Sequence, residues 1–318
     1  MKTNKCLHCY KPLLADEQDF HKQCCKKIFG VESPPELPYS SEDLFLLAEQ
    51  VVQRGETIPG VQPKLSLELQ RRQGASEKEN RLTIMGVLGG YYILKPPNAA
   101  YSQLPENEHL SMLMAKEIFN IRIADCTLVR LLSGELAYLT KRMDRAANGE
   151  KYHMLDMFQI LDAYDKYVGS MERVGKAIKA HSVNALLNLS EYFHLTLFCF
   201  LIGNNDMHLK NFSLLSKEIG VWELSPAYDL LNATIANPED SEELALTLNA
   251  KKKKLKRKDL THFGLQLGLT ERQVENAFNL ISQNISPALA FIDNSFLSDA
   301  NKSAYKILLE QRFQILST

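Results

Sequence analysis

The segment from Gly203 to Asp229 constrains this chain more than any other. It reads Gly203-Asn204-Asn205-Asp206-Met207-His208-Leu209-Lys210-Asn211-Phe212, and an apolar helix runs into it. Phe212–Leu215 then reads as a strand, Ser216–Gly220 as a turn and Val221–Leu224 as the return strand. Ser225-Pro226-Ala227-Tyr228-Asp229 follows at once. A hairpin this short brings two carboxylates, Asp206 and Asp229, to one place with the amide of Asn211. Such a trio suits phosphoryl transfer from ATP. One carboxylate takes or orients the proton of an attacking hydroxyl, while an amide oxygen and a second carboxylate hold Mg²⁺, a hard ion that prefers oxygen. Taken alone, Asn204-Asn205-Asp206 is equally a polar turn after a helix.

The front of the chain supplies candidates for the nucleotide. Leu65–Leu69 alternates with period two, and Leu82–Met85 and Tyr91–Lys95 also read as strands, the last stopped by Pro96-Pro97. Lys95 ends its strand as does the lysine that pairs with nucleotide phosphates in protein kinases; the plainer alternative is a lysine snorkelling from a strand end. The Asp206-x4-Asn211 spacing likewise matches the kinase catalytic loop. Gly60-Val61-Gln62-Pro63-Lys64 precedes the first strand, where a glycine lets backbone N–H groups approach phosphate; read alone it is a turn, and it is not a Walker loop.

A helix is expected over 106–119, and strands over Cys126–Arg130 and Leu136–Thr140. From Leu155 onward the pattern is mostly helical, broken by the one hairpin. An α+β fold of two unlike lobes follows, with a cleft between them. The expected division is a small Cys/His-rich unit over 1–32, a β-rich lobe over 40–145 and an α-helical lobe over 146–318. A Pro-rich linker, Ser33–Pro38, separates the first two, and Ser40 with Asp43 reads as a helix N-cap. Formal net charge is −1, so no global field draws the chain to nucleic acid or membrane. No apolar signal core opens the sequence, and Leu195–Gly203 is too short to span a bilayer, so a cytoplasmic protein without membrane contact is expected.

Taken together, these blocks resemble the HipA family, the serine/threonine kinase toxins of bacterial toxin–antitoxin operons. Thr57–Leu65 resembles its glycine-rich loop, Ile93–Pro96 its nucleotide-lysine strand and Asn107-Glu108 the opening of its next helix. Lys141–Arg145 resembles its interlobe hinge, and Gly203–Asn211 and Ser225–Asp229 its catalytic and metal blocks. The resemblance covers residues 45–310 and implies a two-lobed, kinase-like fold. It makes Asp206 the catalytic base, Asn211 and Asp229 the Mg²⁺ ligands, and Lys95 the ligand of the α- and β-phosphates. His208 and Lys210 would face the transferred phosphate. Thr57, Gly60, Val61, Gln62 and Lys64 would line the nucleotide, with adenine held by the backbone around Lys141 and Met143. Thr57 falls where the family autophosphorylates. The implied target is a protein, with aminoacyl-tRNA synthetases the known class. The implied partner is a helix-turn-helix antitoxin, which leaves DNA an indirect one. The chain resembles the short form of the family, whose missing N-terminal part is a separate small protein. Pro59 stands where short forms carry a second phosphorylatable serine, and Lys141 and Met143 depart from the usual hinge residues.

Four of the six cysteines lie within the first 25 residues. Cys6-x2-Cys9 and His21-x2-Cys24 have the ligand spacing of one tetrahedral Zn²⁺, the first pair on a knuckle and the second at a helix start. Cys25 is then spare or an alternative ligand, and a reduced, metal-free cap is the alternative for the whole unit. Lys251–Lys254 with Lys256, Arg257 and Lys258 reads as a nucleic-acid patch or as a solvated loop. Residues 259–278 read as a helix-turn-helix or, more simply, as two packed helices. Met112, Met114, Met154 and Met157 read as core fillers, and His109, His153, His194 and His262 show no ligand spacing. A small-molecule kinase and a non-catalytic scaffold for an antitoxin and DNA are the competing functions.

Overall fold

The computed structural model describes residues 4–53, 64–71, 80–85, 89–98, 100–146 and 148–318. The chain divides into two compact units, Met1–His109 with Ala124–Arg142, and Leu110–Ile123 with Met143–Thr318.

The first unit is built on an antiparallel sheet of β1 (Leu65–Gln70), β2 (Arg81–Met85), β3 (Tyr92–Lys95), β4 (Cys126–Arg130) and β5 (Leu136–Lys141) in the order β2-β1-β3-β5-β4. Its register places Leu65 opposite Leu94 and Leu94 opposite Leu139, and all three are buried. Two helices precede the sheet, α1 (Lys22–Phe29) and α2 (Ser41–Gln53). The expected cap of α2 is present and reciprocal: Ser40 Oγ accepts from the Asp43 N–H at 3.1 Å, and the Asp43 carboxylate accepts from the Ser40 N–H at 2.8 Å. Between β3 and β4 runs α3 (Leu104–Glu117), which belongs to this unit as far as His109.

Residues 4–31 close one side of the sheet. The Leu128 N–H donates to the Leu7 carbonyl at 3.3 Å, and His8 Nδ1 donates to the Cys126 carbonyl at 3.0 Å. Arg130 forks onto Asp19, with Nη2 2.8 Å from Oδ1. The open rim of β4 is thereby paired within the chain, as an outer strand requires.

The second unit contains α4 (Met157–Ile160), α5 (Met171–His181), α6 (Ala185–Ile202), α7 (Ala233–Ala236), α8 (Arg257–Gln266), α9 (Glu271–Asp293) and α10 (Asp299–Ser317). Alongside them lies a three-stranded sheet, β6 (His153–Asp156), β7 (Ser213–Glu218) and β8 (Val221–Leu224), in sequence order. The β7–β8 hairpin is the one expected; β6 is a third strand that the helical reading from Leu155 missed. Met154 lies half-exposed on β6, a correction to its reading as core, whereas Met112, Met114 and Met157 are fully buried.

Helix α6 is almost wholly apolar from Leu195 to Ile202, and that stretch is buried on every side at the centre of this unit. It is also longer than the segment Leu195–Gly203 suggested: all 18 residues pass the length and hydropathy of a membrane span, but 67% of them are buried inside the fold. Its Phe193 packs against Phe263 of α8 and Phe278 of α9, with ring centroids 6.2 and 6.3 Å apart. The pair α8–α9 therefore spends its apolar faces on the core, as two packed helices do. The basic run before it is partly paired locally. Lys251 pairs with Asp259 at 2.7 Å, Lys252 with Glu242 at 3.2 Å, and Lys253 donates to Ser241 Oγ.

Gly203 ends α6 with φ +69°. A Cβ there would sit 2.4 Å from Leu308 Cδ2 and 2.9 Å from Thr234 Oγ1, so both backbone and space require glycine. The chain turns off the helix at this point and enters the segment that carries Asp206.

Candidate functional site

Within the second unit, hydrogen bonds hold the segment after Gly203 from several sides. Asn204 is fully buried, and its Nδ2 donates to the Asp229 carbonyl at 3.2 Å. Asn205 Nδ2 donates to the Glu242 carbonyl at 3.1 Å. The Asp206 carbonyl accepts from the His208 N–H at 2.9 Å and from Asn211 Nδ2 at 3.0 Å. That second bond fixes the Asn211 amide, leaving its Oδ1 as a donor of electron pairs. A short 3-10 turn, Leu209–Asn211, carries the chain into β7. Tyr228 ties the far side: its hydroxyl donates to the Lys210 carbonyl at 2.9 Å and lies 2.5 Å from Ser213 Oγ. Asp229 follows with φ +54°, a left-handed conformation that an aspartate adopts at a modest cost and that concentrates at functional sites.

The Asp206 side chain is half-buried, and its Oδ1 accepts from the Tyr167 hydroxyl at 2.9 Å. Burial, and then the Asp206 charge, raises the Tyr167 phenol, so it stays protonated as a donor. The Tyr167 ring meets His208 edge-on, with centroids 5.2 Å apart. Burial lowers the His208 pKa, against the opposing pull of Asp206, so the ring is neutral near pH 7. Its Nδ1 is buried with no hydrogen-bond partner among the described residues. Both Asp206 and Asp229 act electrostatically on His208. Lys210 Nζ lies 4.6 Å from the centroid of Phe158, so its charge rests over a ring face rather than against a carboxylate.

In the first unit Lys95 ends β3 and Glu108 sits near the start of α3. Lys95 Nζ is 2.6 Å from Glu108 Oε1, and the residues are 4% and 2% exposed. The ammonium also lies 5.3 Å from the Tyr138 ring centroid. Two residues before Glu108, burial pushes Glu106 up to about 7 from 4.5. The folded state therefore holds this proton more tightly than the unfolded chain, and stability falls as pH rises from 4.5 to 7. A Glu106→Gln variant is expected to melt a few degrees higher than the parent at pH 8 and no higher at pH 4.5. The gain corresponds to ~1–2 kcal/mol after allowing for partial exposure. Thermal melts at the two pH values check this, and an equal gain at both refutes it.

A second cluster lies in residues 4–31. One ligand atom each from Cys6, Cys9, His21 and Cys24 falls within 4.8 Å of all the others. Cys9 Sγ is 3.4 Å and Cys24 Sγ 3.8 Å from His21 Nδ1. Bonds of ~2.0–2.3 Å from a tetrahedral zinc would set donors roughly 3.5 Å apart, so the group fits such an ion. His21 Nε2 donates to the Pro12 carbonyl at 2.9 Å, which leaves Nδ1 free of its proton and turned to the thiols. Hydrogen bonds from Cys24 and Cys9 hold Cys6 far below the usual thiol range, and the same contacts raise Cys24. Cys25 stands outside the group, buried and pushed up to about 12 by that burial.

Thus the structure brings Asp206, His208, Asn211 and Asp229 together in the second unit, with Lys210 close by in sequence but turned to Phe158. It places Lys95 in the first unit and gathers the four Cys/His residues. Lys64 is half-buried before β1, while Thr57, Gly60, Val61 and Gln62 lie outside the described residues. At the expected hinge, the N–H groups of Lys141 and Arg142 already donate to the Asp125 and Tyr91 carbonyls, at 2.7 and 2.8 Å. Sequence reasoning assigned no role to Tyr167, Asn204 or Glu108, although Asn107-Glu108 was a visible signal for the last.

The sequence model of the HipA-like C-terminal domain matches residues 57–289. The chain belongs to the HipA-like family. A Haemophilus influenzae protein named "Putative kinase" is 29% identical over 283 residues, 80% of this chain and 77% of that protein. "Putative kinase Y4dM" of Sinorhizobium fredii is 33% identical over 236 residues, 69% of this chain but 55% of that protein. Among solved structures, HipA of Shewanella oneidensis, determined with HipB and operator DNA, superposes with a TM-score of 0.63. It is 21% identical, covering 85% of this chain and 69% of that one. The Helicobacter pylori proinflammatory kinase CtkA superposes at 0.53 with 16% identity, covering 73% and 90%. At these identities the two structures establish the fold, a mixed α+β arrangement of the HipA and CtkA kind. The Lys95–Glu108 pair joins a lysine at the end of β3 to a glutamate of α3.

Proposed function

We propose that this HipA-like chain is an ATP- and Mg²⁺-dependent serine/threonine protein kinase. The buried Lys95–Glu108 pair carries the reading. Burying two charges is costly, and such a pair seldom stabilises a fold better than apolar residues of like size. Its presence is explained by a ligand that needs a fixed ammonium, and nucleotide phosphates are that ligand in kinases. In this reading Glu108 orients Lys95, and Lys95 binds the α- and β-phosphates. Asp206, held by Tyr167, takes the proton from a serine or threonine hydroxyl as that oxygen attacks. Asn211 Oδ1 and the Asp229 carboxylate would hold Mg²⁺, which supplies charge neutralisation at the phosphates. Neutral His208 stands beside Asp206 as a donor toward the transferred group, and the Lys210 ammonium, which rests over Phe158, would have to turn from that ring to join it. Adenine would lie against the backbone around Lys141 and Met143, where the Lys141 and Arg142 N–H groups are already engaged, and Lys64 would flank the phosphates.

The broader role proposed is that of a toxin kinase acting on a protein target, with autophosphorylation at Thr57. The likeness to HipA, whose structure contains HipB and DNA, supports a helix-turn-helix antitoxin as partner and DNA as an indirect one. Cys6, Cys9, His21 and Cys24 are proposed to hold one structural Zn²⁺, since four protein ligands leave no open position for catalysis.

Intact-mass and peptide mass spectrometry after incubation with Mg²⁺ and ATP tests the kinase. One added phosphoryl group on Thr57, abolished by EDTA, is the expected result. A purified protein that neither acquires phosphate nor binds ATP would contradict it.

A further inference from the structure

Resting on the reading of Lys95 and Glu108 as the nucleotide grip, the geometry points to Tyr10 and His109 as positioning residues. Through them the zinc knuckle of Cys6, Cys9, His21 and Cys24 sets where Glu108 stands, so that nucleotide affinity depends on the metal.

The two residues inside the first ligand pair are both fastened to β4, Leu7 through its carbonyl and His8 through Nδ1. Tyr10 follows the second ligand directly. It is fully buried, its N–H donates to the Cys6 carbonyl at 3.0 Å, and its φ is +63°. A left-handed tyrosine is unfavourable by ~1 kcal/mol or more. The loop keeps it there because Cys6 and Cys9 must converge on one point. In that conformation the Tyr10 hydroxyl reaches His109 Nδ1 at 3.0 Å, and the rings meet edge-on at 5.3 Å.

His109 adjoins Glu108 on α3 and is fully buried. Its Nε2 has no hydrogen-bond partner among the described residues, so Tyr10 alone among them anchors the ring by a hydrogen bond. His109 also meets Tyr138, with centroids 6.4 Å apart, and Tyr138 is the ring beneath the Lys95 ammonium. A continuous set of packed groups therefore runs from Cys9 through Tyr10 and His109 to both members of the Lys95–Glu108 pair. All of it lies within the first unit. With the metal gone, Cys6 and Cys9 are no longer drawn to one point, and the strained turn at Tyr10 is held less firmly. When Tyr10 relaxes, the start of α3 loses its anchor and Glu108 loses its fixed place.

The test measures zinc content by elemental mass spectrometry and affinity for a fluorescent ADP analogue. Four samples are compared: the parent, the parent stripped with chelator, Tyr10→Phe and Tyr92→Phe. Tyr92→Phe is the control, because it deletes a tyrosine hydrogen bond from β3 to the same cap, 3.0 Å to the Ile28 carbonyl, that involves neither Tyr10 nor α3. The parent is expected to carry one zinc. Tyr10→Phe should keep that zinc yet bind nucleotide about threefold to tenfold more weakly, the factor one buried hydrogen bond carries. Tyr92→Phe should match the parent. Stripped protein should bind at least as weakly as Tyr10→Phe and recover when zinc is restored. Parent-like affinity in Tyr10→Phe overturns the coupling, as does a parent that carries no zinc and ignores added zinc. If stripping unfolds the chain, the Tyr10→Phe and Tyr92→Phe pair decides alone. A zinc-loaded parent that binds no nucleotide refutes the reading of Lys95 and Glu108 instead, and the coupling falls with it.

Discussion

Asp206→Asn is expected to transfer phosphoryl groups about 10²–10⁴-fold more slowly than the parent while binding nucleotide within about twofold of it. The substitution keeps size and the oxygen that accepts from Tyr167, and keeps the backbone carbonyl that accepts from Asn211 and His208. What it removes is the negative charge that draws a proton from the attacking hydroxyl. Single-turnover transfer, followed alongside equilibrium binding of an ATP analogue, separates the two effects. Parent-like rates would remove Asp206 from the chemistry. A matched loss of binding would make it a structural group.

The second large effect concerns the Lys95–Glu108 pair. Glu108→Leu leaves a buried ammonium with its carboxylate gone, and should destabilise the fold by ~3–5 kcal/mol and abolish tight nucleotide binding. Adding Lys95→Met should restore much of the stability, because the pocket then holds two apolar chains of similar volume. It should not restore binding, because the phosphates have lost their cation. Denaturant melts and nucleotide titrations on the two variants provide the check. Recovery of both properties in the double variant would show that the pair serves only the fold.

The segment around Asp206 was legible in the sequence because its signals are local. After an apolar helix, a glycine able to take φ +69°, a hairpin and Asp229 follow one another within 27 residues. The strands carrying Leu65, Leu94 and Leu139 were legible for the same reason, since alternation is read within one short window. What escaped notice depends on partners far along the chain. Strand β6 is four residues, alternately exposed and half-buried, whose strand character comes from pairing with β7, some sixty positions later. Tyr167 meets Asp206 across 39 residues, and Tyr10 meets His109 across 99. His109 showed no ligand spacing, and its contact with Tyr10 carries no periodic mark. The Cys/His cluster was an intermediate case. Its spacing announced the four donors, but only the fold separates Cys25 from them.

The way residues 4–31 lie along β4 has a further consequence. Leu7 and His8 occupy hydrogen-bonding positions that a strand from another molecule would otherwise take. Should this cap lift away, the sheet would present a bare, largely apolar margin to its neighbours, and copies of the chain would adhere edge to edge. Damage to the cap would then appear as turbidity in concentrated solution.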